Sequence, residues 1–147
     1  MTDTPQDLSL SVERVIKAPR KTVFAAWLSP DMLRKFMMPG PDMTVPVART
    51  DAIEGGRFEI VMKPQSGEIP HAGTYREITP HDRIVFTWES PFSPADSTVT
   101  LEFSDVEEGT LLRLTHVTFL DEERRDGHKG GWTRILEVLD ETVAEAA

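Results

Sequence analysis

Two histidines mark where this sequence comes nearest to chemistry. His116 closes the string TLLRLTH, two residues after Leu114 and four after Leu112, and His128 follows in GHKGGW. An imidazole on an otherwise apolar strand face is either satisfied by a backbone carbonyl or water, or serves as a polar anchor in a pocket. Two imidazoles brought together could hold a ligand carboxylate or shuttle a proton. Tyr75, the sole tyrosine, and Arg76 add possible hydrogen-bond donors, although Gly73 marks a candidate bulge that leaves their strand face open. His71 and His81 fall in stretches that read as loops, without the spacing of metal ligands, so no metal is expected.

Other chemistries lack their residues. There is no cysteine, which excludes disulfides, zinc–thiolate sites, iron–sulfur clusters and thiol catalysis. No Walker loop, GxGxxG or GxSxG string occurs, and the serines cluster in turn-like stretches, so neither a cofactor nor a serine triad is expected. Carboxylates are abundant enough to pair by chance, and none is assigned a catalytic role. Sixteen basic against twenty-five acidic side chains give a net charge of −9, the wrong sign for releasing counterions from nucleic acid or docking on anionic lipid. Much of that acid reads as a solvated face. The opening MTDTPQDLSLSVERV has no basic, then apolar, leader pattern, and no apolar run approaches the roughly 18 residues that span a bilayer. A cytoplasmic location is the expectation.

The elements that must position the histidines can be read from periodicity. LSLSVERVIK alternates as a first strand; Pro19 opens a helix through TVFAAWL, and Ser29-Pro30 stops it and caps a second short helix, DMLRKF. Six strands follow: MTVPVART, GRFEIVMK, HAGTYREI, DRIVFTWES, STVTLEFSD and TLLRLTHVTF, separated by turn residues such as Pro80-His81-Asp82, Ser93-Pro94-Ala95-Asp96 and Glu107-Glu108-Gly109. Pro46 suits an edge strand or a bulge. A long helix then runs from about Asp121 to Glu145, irregular near its start, with Trp132, Ile135, Leu136, Leu139 and Val143 on one face. Such spacing predicts an antiparallel sheet with helices on one side, an α+β fold, as one domain over 8–147 behind a flexible N-terminus of residues 1–7.

Strand parity assigns a candidate ligand wall. Phe58, Ile60 and Met62 share a face, as do Phe86 and Trp88, Leu101 and Phe103, and Leu114 and His116; these should look toward His128, Trp132 and Leu136. The same residues could equally form a filled core. Met32, Met37, Met38, Met43 and Met62 supply adaptable apolar surface, for a tolerant pocket or for plain gap-filling. Gly130 and Gly131 cost helix stability, which predicts that the helix start presses close to the sheet, with a cavity mouth as the by-product.

Several strings in order carry a resemblance. They are Val-Phe-x-x-Trp-x-x-Pro at 23–30, Pro39-Gly40, Asp51 with Gly55-Gly56, and Gly73-x-Tyr75-Arg76-Glu77-Ile78. To these add Ile84-Val85-Phe86-Thr87-Trp88, Leu114-Thr115-His116 and His128-x-x-Gly131-Trp132. Over nearly its whole length the chain resembles the activator of heat-shock-protein ATPase homologue (AHSA-like) family of the START-like, or SRPBCC, superfamily. The resemblance implies a helix-grip fold (START-like, Bet v-like): a curved antiparallel sheet wrapped around a long C-terminal helix, with two short helices after the first strand. It also implies a cavity between sheet and helix for a small hydrophobic or amphipathic ligand. Cyclase or hydrolase chemistry through His116, His128 or Tyr75, or action on a chaperone ATPase, are the alternatives. Phe36-Met37-Met38 stands where the family often has two tryptophans, beside the expected cavity mouth. A homodimer is compatible with such a domain, with no sequence feature that requires it.

Overall fold

The computed structural model describes residues 8–38, 42–65, 67–91, 93–94 and 97–146, with side chains in helices and strands described as far as Val143. The N-terminal seven residues, the Pro39-Gly40 string and half of the Ser93-Pro94-Ala95-Asp96 turn therefore lie outside the described residues. The element order is β1 (Ser9–Ile16), α1 (Arg20–Ala26), α2 (Pro30–Phe36), β2 (Thr44–Thr50), β3 (Arg57–Lys63), β4 (Ile69–Thr79), β5 (Arg83–Thr87), β6 (Thr98–Val106), β7 (Gly109–Val117) and α3 (Glu122–Ala146).

All seven strands form one curled antiparallel sheet in the order β1-β7-β6-β5-β4-β3-β2. The two short helices carry the chain from β1 at one edge to β2 at the other, and the meander β2 to β7 then walks back until β7 pairs with β1. This arrangement is the α+β helix-grip fold, with α3 packed against β1 and α2.

Alternation decides which face is buried. β3 reads exposed-buried through Phe58, Ile60 and Met62; β6 and β7 do the same through Val99, Leu101, Phe103, Leu112, Leu114 and His116. That inner face meets Trp132, Ile135, Leu136, Leu139 and Val143 of α3, all nearly inaccessible. Each such side chain contributes on the order of 1.5–3 kcal/mol. Ser29 caps α2, its hydroxyl accepting from Met32 N at 3.3 Å, with Pro30 at the first helical position. Pro46 lies on the outermost strand, where the β2–β3 register shifts between Thr44 and Val47.

Two boundaries and the regularity of one helix differ from the sequence reading. β4 begins at Ile69, so His71 is a strand residue paired with Ile60 and not part of a loop. β5 ends at Thr87, and Trp88 and Glu89 leave it to bond Ser97 and Ala72 instead. The long helix is uninterrupted through Gly127, Gly130 and Gly131, where irregularity was expected. Its start is fixed by Asp121, whose carboxylate accepts the Arg124 N–H at 2.8 Å and the Arg124 guanidinium at 2.7 Å.

The other end of α3 is held by a buried carboxylate. Asp140 accepts the Lys17 backbone N–H at 3.0 Å and Arg14 Nε at 3.2 Å, which ties the helix to β1 and to the residue after it. Gly73 is required by close approach: a Cβ there would stand 2.0 Å from the Thr87 carbonyl oxygen and 2.5 Å from the Phe58 ring. The bulge anticipated near Gly73 falls further along β4, between Tyr75 and Glu77.

Candidate functional site

His116 is fully buried at the inner face of β7. Trp132 Nε1 donates to its Nδ1 at 3.0 Å, and its Nε2 lies 2.6 Å from Ser97 Oγ. An indole nitrogen can only donate, so Nδ1 must be the acceptor and the ring proton must sit on Nε2, where it is donated to Ser97. The pair thus has the outline of a catalytic serine–histidine couple with the proton on the wrong partner. His116 cannot take a proton from Ser97 while Trp132 holds its other nitrogen. Burial, reinforced by nearby His128, pushes His116 down to about 3, in keeping with a neutral structural imidazole.

Next to this network lies a partly open pocket of about 430 Å³. One wall is α3, presenting Arg124, Gly127, His128, Gly131, Trp132 and Ile135, which recur every three or four residues and so form one stripe of the helix. Facing them are Met62, His71 and Trp88, with Glu123 at the rim. The indoles of Trp88 and Trp132 are 5.0 Å apart at 58°, and the His71 ring lies 4.9 Å from Trp88. The wall is mainly apolar and aromatic with a few polar groups, as ligand sites usually are.

Gly130 does not make the close approach expected of it. A Cβ built on Gly127 or Gly130 would meet nothing within 4 Å, so neither permits close packing. Gly127 and Gly131 instead leave out side chains along the stripe that borders the pocket, while Gly130 is exposed outside it.

The polar groups of the pocket are incompletely matched. His128 Nδ1 lies 2.8 Å from the Arg124 carbonyl oxygen and must donate to it, which leaves Nε2 as the acceptor. Burial lowers the His128 pKa, opposed in part by that hydrogen bond. Burial is also the main influence on His71, and with His128 nearby brings it to about 4 against the opposing carbonyls of Ile69 and Ile60. His71 Nδ1 and Trp88 Nε1 are buried without hydrogen-bond partners.

Among the residues picked from sequence parity, Met62, Trp88, His128 and Trp132 line this pocket. Phe58, Ile60 and Phe86, again with Trp88, enclose a separate void of about 10 Å³ that also touches Tyr75 and Trp27. Leu101, Phe103, Leu114 and Leu136 are packed in the core, and His116 stands behind Trp132 with its ring 5.4 Å from His128. Arg76 is exposed. The parity reading missed His71, Glu123, Arg124, Gly127 and Ile135 as pocket residues. His71 had a signal, since His71, Gly73 and Tyr75 alternate on the inner face of β4. Among the described residues, no group of histidines and carboxylates is placed to hold a metal, and no helix is long and apolar enough to cross a membrane.

The profile of activator of Hsp90 ATPase homolog 1-like proteins matches residues 17–144. This chain belongs to that family. As expected for an AHSA1-like protein, its fold recurs in solved structures of low sequence identity. A protein of Chromobacterium violaceum is 24% identical with a TM-score of 0.83, covering 95% of this chain and 98% of its own. A protein of Nitrosomonas europaea is 22% identical with a TM-score of 0.80, covering 99% and 98%. An AHSA1-like protein of Aeromonas hydrophila is 22% identical with a TM-score of 0.80, covering 94% and 93%. At these identities the likeness concerns the fold. Among curated proteins, none matches this AHSA1-like chain.

Proposed function

We propose that this AHSA1-like protein binds a small hydrophobic or amphipathic molecule in the pocket between the β3–β4 hairpin, Trp88 and the N-terminal half of α3. The observation that carries this reading is about 430 Å³ of space bordered by Trp88, Trp132, Met62 and Ile135, with helix glycines where side chains would fill it. Pockets for small ligands start at roughly 300 Å³. Catalysis through His116, His128 and Tyr75 has less support. Only His128 lines the pocket, Tyr75 borders the separate small void, and Trp132 holds His116 in a tautomer that cannot accept from Ser97. A cytoplasmic setting and a diffusible small-molecule partner accompany this reading.

The test is mass spectrometry of the protein purified under native conditions, with thermal shifts across a library of lipids and aromatic compounds. A retained apolar molecule or a reproducible rise in Tm is expected. No bound mass and no shift with any compound would refute the proposal.

A further inference from the structure

An unmatched hydrogen-bonding group in the pocket wall narrows the chemistry of its occupant. It belongs to His128, whose proton location follows from geometry alone. With Nδ1–H committed to the Arg124 carbonyl, Nε2 presents a lone pair, and no described group occupies it. Trp88 Nε1 and His71 Nδ1 also lack hydrogen-bond partners, but both are sealed beneath the wall and present nothing to an occupant. The walls around His128 are indole faces, a thioether and an isoleucine.

Charge on the occupant is opposed in both signs. The single guanidinium of the lining, on Arg124, is paired with the Asp121 carboxylate at 2.7 Å, which offsets part of its pull on an anion. Glu123 at the rim adds repulsion to that of a chain carrying −9 overall. For a cation the two imidazoles report on the medium: burial is the largest cause lowering the proton affinity of His71 and His128, and the same dehydration would penalise a bound positive charge.

Resting on the binding reading above, we infer that the pocket selects an uncharged aromatic molecule carrying a hydroxyl group, the class of phenols and naphthols, with the hydroxyl donating to His128 Nε2. A phenolic hydroxyl is an uncharged group that can donate to this imidazole lone pair. The ring system lies against Trp88 and Trp132. An apolar cavity of about 150 Å³ suffices for benzene, so the larger volume here has room for fused rings.

Isothermal titration at neutral pH with 2-naphthol, naphthalene and 2-naphthoate tests this on the wild-type protein and on His128→Phe. In the wild type, 2-naphthol should bind about tenfold more tightly than naphthalene, the worth of one hydrogen bond. 2-Naphthoate should bind no better than naphthalene. His128→Phe should bring 2-naphthol and naphthalene within about twofold of each other while naphthalene still binds. Equal binding of the two neutral compounds to the wild type, tighter binding of the naphthoate, or a preference that survives His128→Phe would overturn the inference and leave the pocket itself standing. Binding of none of the three would remove the pocket reading as well. Should the variant fail to fold, the ¹⁵N resonance of His128 Nε2 in the wild type gives an independent answer. It should shift toward a hydrogen-bonded value on addition of 2-naphthol, and an unmoved resonance at saturation would overturn the assignment.

Discussion

Substituting the helix glycines separates the two reasons a helix can carry them. Gly127 and Gly130 both lie within α3 without a left-handed backbone, and a Cβ on either would meet nothing within 4 Å. Alanine at each should therefore recover the helix propensity that glycine forfeits, about 1 kcal/mol. For a chain of this size that corresponds to a rise of roughly 4 °C in Tm. The two positions part company in binding, because Gly127 lines the pocket and Gly130 does not. Gly130→Ala should gain stability and leave the affinity for 2-naphthol unchanged. Gly127→Leu should keep most of the stability gain, leucine being nearly as good a helix former as alanine, while its side chain takes up ligand space and weakens binding by tenfold or more. Urea denaturation and calorimetric titration on the same preparations supply both numbers. A loss of stability in Gly127→Ala would refute the reasoning, since it would mean that the helix presses on its neighbours there. Wild-type affinity in Gly127→Leu would show that ligand binds elsewhere.

Three further outcomes follow from the packing. His71 and His116 titrate at about 4 and about 3 in the folded chain, below the roughly 6.5 of an unfolded histidine, so protons favour the unfolded state. Stability is then full above about pH 6.5 and falls on acidification toward pH 4, by up to about 1.4 kcal/mol per pH unit for each histidine; His71→Gln should roughly halve their joint slope in urea melts between pH 6 and 4.5. Gly73→Ala drives a methyl into the Thr87 carbonyl and the Phe58 ring, at a cost above about 3 kcal/mol that should appear as loss of soluble, folded protein. Asp140→Ala strips the acceptor from the Lys17 N–H and from Arg14, and should lower the urea-derived unfolding free energy by about 1–2 kcal/mol without altering 2-naphthol affinity.

Much of the architecture is legible in the residues because burial imposes period on sequence. Phe58-Ile60-Met62 and Leu112-Leu114-His116 alternate as strand faces must, and Ser29-Pro30 carries its own capping chemistry. The start of β4 was obscured by Pro70, a residue that argues against a strand until its pairing with Val61 is seen. The pocket is legible only in part. The stripe from Arg124 to Ile135 is periodic, yet whether a glycine on it faces a neighbour or a space depends on how far the sheet curls away, and that distance is long-range. The same holds for His116. Its position on an apolar face could be read, whereas its tautomer depends on an indole that packing brings to 3.0 Å.

The glycine stripe places two demands on the same backbone atoms. A chain selected for stability alone would exchange Gly127 for alanine and become both firmer and less hollow. Mutational drift therefore runs toward filling the pocket, and only use of the space opposes it. Among AHSA1-like relatives, the small residue at this position thus becomes a historical record. A lineage that still loads the pocket should keep glycine there, and one that has abandoned its ligand should have traded it for a better helix.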